Sequence, residues 1–210
     1  MENINTEFSP LELDFFEQPT ISLAKSLLGC QLVKWTKEGI TAGYIVETEA
    51  YKGPDDRAAH SFNLRRTART EVMYHRSGLA YTYQMHTHCL FNVVSGGEGK
   101  PEAVLIRAIH PSAGIELMQL RRHSQQSVNL TNGPGKFTKA MHITMEDYGH
   151  LLTSSPLYIA AGYKPKSISI GKRIGIDNSG EAVEYPWRFW ITGNKYVSRH
   201  QKAERIETIE

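Results

Sequence analysis

The sequence lacks most of what would mark a secreted, membrane-bound or metal-built protein. Only two cysteines occur in 210 residues, Cys30 and Cys89, and without CxxC spacing they exclude a disulfide framework and a cysteine zinc site. No apolar run approaches the ~20 residues of a membrane helix. The opening MENINTEFSP has neither the basic nor the apolar region of a secretion signal, so a soluble, cytoplasmic protein is expected. No charge of one sign dominates: 24 Lys and Arg face 22 Asp and Glu, for a net +2. That balance neither demands nor excludes nucleic acid, which needs clustered positive charge rather than a large total. Internal repeats, low-complexity tracts and composition shifts are also missing.

What is present, 40% hydrophobic and 10% aromatic residues, suffices for one substantial core. A single domain over residues 11–199 is expected, between a tail at 1–10 and a frayed tail at 200–210. The densest chemistry lies at 43–60, GYIVETEAYKGPDDRAAH. Regular alternation puts Ile45, Glu47, Glu49 and Tyr51 on one strand face, with Tyr44, Val46, Thr48 and Ala50 on the other. Glu47 and Glu49 would sit about 7 Å apart, close enough for burial or repulsion to raise one towards the range of a general base. Glutamate pairs on a strand are usually solvated, but Ile45 and Tyr51 beside them point to a partly apolar wall. An acidic turn after Gly53-Pro54 leads to His60.

Elsewhere, apolar residues in 10–16 should dock on the core. Residues 20–28 have helical spacing, with Thr20 or Ser22 as cap and Gly29 as stop. Residues 30–35 and 40–49 read as a hairpin about Lys37-Glu38-Gly39. Arg65, Arg66, Arg69 and Arg76 form a basic stretch that is either solvated surface or a phosphate contact. Residues 80–94 read as a long strand or hairpin. His86 and His88 share a face there, yet no third ligand follows at a recognisable spacing and no metal is expected. The glycines of 96–101 lack Walker spacing and read as a turn. Arg107 stands on the face of Leu105 and Ile109 in strand 103–109, either snorkelling at an edge or held in a site. Helices are expected over 112–122 and 137–142, the latter opened by Gly133-Pro134-Gly135-Lys136, whose amides and lysine suit a phosphate. Strands are expected at 157–161, 168–170 and 187–191.

In chain order, IVETEAYKGPDDRAAHS, RRTART, YTY with FNVV, AVLIRA, NGPGKFTKA and PWRFW closely resemble the alkyladenine (3-methyladenine, methylpurine) DNA glycosylase family, over residues 11–199. The resemblance implies a single α/β (mixed α+β) domain with a curved, mainly antiparallel sheet, flanking helices and a protruding β-hairpin. It implies base-excision repair: an alkylated or deaminated purine is flipped out of double-stranded DNA and its N-glycosidic bond hydrolysed, leaving an abasic site. No cofactor is implied. Glu49 matches the base that activates water, and Arg107 an arginine near that water and the target phosphate. Tyr51 and Tyr83 match stacking tyrosines, His60 the opposite wall, and Asn92 the residue that crowds the amino group of undamaged guanine. Arg65, Arg66, Arg69 and Lys136 would hold the DNA. No matched position offers a Schiff-base lysine, so lyase activity is not expected. A monomer on the bacterial nucleoid is expected.

One stretch departs from the family pattern. Many members wedge a hairpin tyrosine into the gap left by the flipped nucleotide, but Gln84-Met85-His86-Thr87-His88 is one residue shorter and has none. His86 aligns with the wedge if the gap follows it, and Met85 is the other candidate. Two readings compete with the glycosylase. One is a metal-dependent hydrolase using His60, His86, His88 and the carboxylates; the other is a nucleic-acid binding module whose aromatics only stack on bases.

Overall fold

A computed structural model describes residues 8–199 and 202–209; most of the expected N-terminal tail, residues 1–7, lies outside it, as do residues 200, 201 and 210. Among the described residues ten strands form one antiparallel sheet: β1 (Gln31–Thr36), β2 (Gly39–Tyr51), β3 (Ala80–Met85), β4 (His88–Ser95), β5 (Glu102–Ala113), β6 (Thr153–Ser154), β7 (Leu157–Ala160), β8 (Ser167–Gly171), β9 (Arg188–Ile191) and β10 (Arg205–Thr208). The long β2 is the spine. β5 pairs along one of its edges, with β4 and β3 beyond, while β1 and β9 share the other edge end to end. β7 and β6 continue past β1, and β8 and β10 past β9. Strand twist curls this sheet into a half-barrel. The helices α1 (Thr20–Ser26), α2 (Ile115–Arg122) and α3 (Pro134–Met141) flank it: α1 packs on β2 and β5, α3 on β4 and β5, and α2 on α3.

The period of two in β4 and β5 gives the sheet two apolar faces. Phe91, Val93, Val104 and Ile106 enter the main core with Leu23 and Leu27 of the helical side. Leu90, Val94, Ala103 and Leu105 form a second cluster with Met73, Tyr81 and Tyr83. Each large apolar side chain buried this way contributes about 1.5–3 kcal/mol.

The central pairing is irregular where it matters. Ile45 faces Ile109, Glu47 faces Ala108 and Thr48 faces Ile106, so Val46 on β2 and Arg107 on β5 are both supernumerary. Ile45 and Val46, expected on opposite faces, therefore both enter the main core. Leu105 and Ile109, expected to share a face with Arg107, go to different clusters. Strict alternation cannot anticipate such a bulge.

Other boundaries also move. Thr20 does not cap α1, for Pro19 takes that position, and the Thr20 hydroxyl instead meets Ser95 Oγ at 2.9 Å and the Glu102 carboxylate. α1 ends at Ser26 with Leu27 as its C-cap, short of the expected stop at Gly29, which instead turns the chain with a φ of +90°, and a Cβ there would lie 2.1 Å from the Tyr163 carbonyl oxygen. β5 runs on to Ala113, so α2 starts at Ile115 after the left-handed Gly114, not at Ser112. α3 starts three residues earlier than expected, at Pro134. The tail expected to fray forms β10, paired with β8, and Lys25 of α1 holds its Glu207 at 2.6 Å.

The acidic turn after β2 is a buried clamp. Asp56 accepts from Arg173 Nη1 at 2.6 Å and Nη2 at 2.8 Å, and both side chains are fully buried. Arg173 also donates to the carbonyls of Ala50 and Ala182. The residue 173–182 segment is thereby fastened to the end of β2. Asp56→Asn leaves the guanidinium without its countercharge, so urea melts should show a loss of about 3–5 kcal/mol. A loss under ~1 kcal/mol, the worth of a surface pair, would contradict the clamp.

Candidate active site

Strand register brings residues distant in sequence into one row. Tyr81 faces Asn92, Asn92 faces Leu105, Leu105 faces Glu49, and Glu49 faces Arg188, across β3, β4, β5, β2 and β9. With strands ~4.8 Å apart, the row forms a continuous strip on the curled sheet. A cavity of about 700 Å³ opens over it, and Tyr51, His60, Tyr83, Asn92, Arg107 and Lys136 all contribute to its lining. Residues 174–179 and Ser198 line it as well.

Glu49 lies just beneath that lining and is wholly buried. Its Oε2 accepts from Tyr51 Oη at 2.9 Å and Arg107 Nη1 at 3.2 Å, and its Oε1 from the backbone amide of Ile174 at 2.8 Å. Every partner is a donor, as suits an acceptor-only carboxylate. Glu47 is bonded more heavily still. Its Oε1 accepts from Arg107 Nε, Arg188 Nε and Ser198 Oγ at 2.8, 2.8 and 2.9 Å, and its Oε2 from Ser198 N at 2.6 Å. Arg107 is thus gripped by both glutamates, which settles its placement as internal. Burial opposes its charge, but Glu49 and Glu47 outweigh burial and raise its pKa. The solvated face that glutamate pairs usually form is absent.

The part of the cavity wall formed by Tyr51, His60, Tyr81 and Tyr83 is aromatic. The His60 ring stands edge-on to Tyr83, with centroids 4.6 Å apart, and its Nδ1 is 2.7 Å from Tyr81 Oη. Burial, helped by Arg69 and Arg65, lowers His60 to about 4. Burial and then Glu49 push Tyr51 well up, and burial pushes Tyr83 up to about 12. Tyr51 rests on the Arg173 guanidinium, 4.7 Å from its ring centroid. Asn92 donates to the Tyr81 carbonyl at 2.9 Å, which fixes its amide at the floor.

Met85 and His86 line the rim, at the tip of the β3–β4 hairpin, where His86 adopts a left-handed φ of 52°. The hairpin is braced from α3, since a Cβ on Gly135 would lie 2.6 Å from His88 Cγ. Lys136 reaches Asn132 Oδ1 at 2.8 Å beside the cavity. Arg69 stands 5.7 Å over the Tyr83 ring, and Arg65 is exposed nearby. Arg66 is drawn away by a two-pronged pair with Glu71 at 2.6 and 2.8 Å. Among the described residues no three His, Cys, Asp or Glu side chains converge as metal ligands would.

Sequence reading missed Arg188, Ser198, Tyr81 and the Asp56–Arg173 clamp. The PWRFW string carried Arg188 without a role, and its lone charge between aromatics was the available signal. A buried carboxylate beneath an aromatic cavity, with an arginine alongside, can take a proton from water and stabilise developing positive charge.

Comparison with known proteins agrees. The family model described as methylpurine-DNA glycosylase matches residues 14–195. A protein of Bacillus licheniformis is 65% identical over 93% of this chain and 100% of its own length, and one of Bacillus subtilis is 61% identical over 92% and 98%. A Listeria welshimeri relative is 44% identical over 93% and 95%. Each is named as a candidate 3-methyladenine DNA glycosylase. With matches of this extent, the chain belongs to the methylpurine-DNA glycosylase family, hydrolases that remove alkylated purines from DNA by cleaving the N-glycosidic bond.

Proposed function

We propose that this chain flips an alkylated or deaminated purine nucleotide from double-stranded DNA into the cavity and hydrolyses its N-glycosidic bond. Glu49 is the general base, and the observation that carries this reading is its burial directly beneath the cavity lining, on donors that line the cavity. Glu49 accepts three hydrogen bonds and a carboxylate has about four acceptor sites, so a water can be taken at the remaining site or in place of a donor. The Tyr51 hydroxyl, which belongs to the lining, is the one that water can replace. The water oxygen then attacks the anomeric carbon as Glu49 accepts its proton. The C–N bond electrons leave with the purine, and an abasic site remains.

A purine alkylated at N3 or N7 already bears positive charge, so its bond breaks without prior protonation of the base, whereas a neutral deaminated purine leaves as an anion that then takes a proton from solvent. Tyr51, Tyr83 and neutral His60 offer π-faces to such a cation. Arg107 orients water and the target phosphate, and Asn92 crowds the amino group of normal guanine. Arg65, Arg69 and Lys136 hold phosphates, while Arg66, tied to Glu71, contributes less than its position in the basic stretch suggests. Met85 or His86 fills the emptied stack. The enzyme works as a cytoplasmic monomer on the nucleoid, through residues 11–199, without lyase activity and without a cofactor.

Glu49→Gln keeps the shape but removes the proton acceptor. Single-turnover release of 3-methyladenine from methylated duplex should fall by roughly 10²–10⁴-fold with DNA binding retained; release at the wild-type rate would sink the assignment. A second expectation concerns pH. His60 titrates near 4 when folded and near 6.5 when unfolded. Below about pH 6.5 the unfolded chain binds the proton first, so this contribution to stability is complete above that pH and lost as pH falls towards 4. His60→Gln should flatten the stability curve over that window, and an unchanged slope would show that His60 is not held neutral.

A further inference from the structure

We propose that Leu64 is a second apolar wedge, which packs against the bases beside the nucleotide that enters the cavity; the inference rests on the DNA glycosylase reading above. Asn63 (φ 55°, ψ 36°) and Leu64 (φ 58°) are consecutive left-handed residues, and neither is glycine. Side chains other than glycine rarely accept that conformation, and leucine lacks the short polar group that eases it for asparagine. Leu64 is also 60% exposed, so packing inside the protein does not explain it.

The strained turn is braced on several sides. Tyr74 Oη donates to the Leu64 carbonyl at 2.7 Å, and the Arg65 amide to the Phe62 carbonyl at 3.2 Å. Thr70 Oγ1 donates to the Arg65 carbonyl at 3.2 Å, and Arg66, paired with Glu71, lies 4.7 Å over the Tyr74 ring. Strain of this kind persists only where the surroundings over-determine it, and it gathers at ligand clamps. The Leu64 side chain is therefore held out rather than loose.

Its neighbours define what it meets. Leu64 is four residues beyond His60, at most about 14 Å of extended chain from the cavity wall. Exposed Arg65 follows it directly, and exposed Arg69 stands over Tyr83 of the cavity wall; neither forms an ion pair among the described residues. Arginines take phosphates, and an exposed apolar side chain in the same stretch is left for the base stack, a part that leucine fills in groove-binding proteins. Met85 and His86 of the hairpin line the cavity as well, so the duplex would meet Leu64 in addition to the hairpin.

The test measures affinity of Leu64→Ala and Leu64→Gly for a lesion-bearing duplex over a salt series, with the matching single strand as control. Both variants should bind the duplex roughly fivefold or more weakly. The salt slope should stay at the wild-type value, whereas Arg65→Ala reduces it by about one. Leu64→Gly relieves the backbone and should melt no lower than wild type. Unchanged duplex affinity of Leu64→Ala overturns the wedge, as does a loss that is equal on single-stranded DNA or that comes with a reduced salt slope. Base release by the wild-type protein is read separately, which distinguishes failure of the enzymatic reading from failure of the wedge.

Discussion

Two carboxylates and two guanidiniums share the interior beneath the cavity, and none of them can be left half-partnered. Each ion costs several kcal/mol to remove from water, a debt that only its neighbours offset. Glu47 closes the account: it bridges Arg107 of β5 to Arg188 of β9 and takes both donors of Ser198. Because it holds Arg107 by Nε, the Nη1 corner is left for Glu49. Sheet curl, cavity floor and the proposed base are therefore fixed by the same contacts.

The bulge that makes Val46 and Arg107 supernumerary is part of this constraint. It turns the arginine towards both glutamates, at a place where a regular ladder would have alternated past them. Charge is then sorted by depth. The buried cluster is neutral in sum, the cavity wall above it is aromatic with His60 uncharged above about pH 4, and Arg65, Arg69 and Lys136 lie at or near the rim. A chain with a net charge of only +2 can still meet a polyanion when its cations are gathered on one surface, the part proposed for Arg65, Arg69 and Lys136.

Much of the sheet was legible from alternation and turn residues: the β1–β2 hairpin about Lys37-Glu38-Gly39 and the strands β5, β7, β8 and β9, whereas residues 80–94 stayed open between one long strand and the β3–β4 hairpin until the family resemblance was added. The segments that failed have physical reasons. β10 is four exposed or half-exposed residues whose pairing partner lies in another part of the chain, so its pattern carries no burial signal. Thr20 had two uses for one hydroxyl, and the tertiary partners Ser95 and Glu102 won over the local cap. At the site, chemistry identified Glu47, Glu49 and Tyr51 as a group, but the difference between the two glutamates came from family resemblance. Register was beyond reach: nothing local tells that Tyr81, Asn92, Leu105, Glu49 and Arg188 form one row. Asp56 read only as part of an acidic turn because its partner, Arg173, is 117 residues away.

We propose that Glu47, which does not itself line the cavity, keeps the proposed base and its arginine in place through its bonds to Arg107 and Ser198. The most direct measurement is single-turnover release of 3-methyladenine by Glu47→Gln, with the folded fraction checked by near-ultraviolet circular dichroism and duplex affinity measured alongside. Release should slow by at least about tenfold with duplex affinity held, as misplacement of reacting groups by a fraction of an ångström would cause. Release at the wild-type rate from a folded Glu47→Gln protein would contradict it.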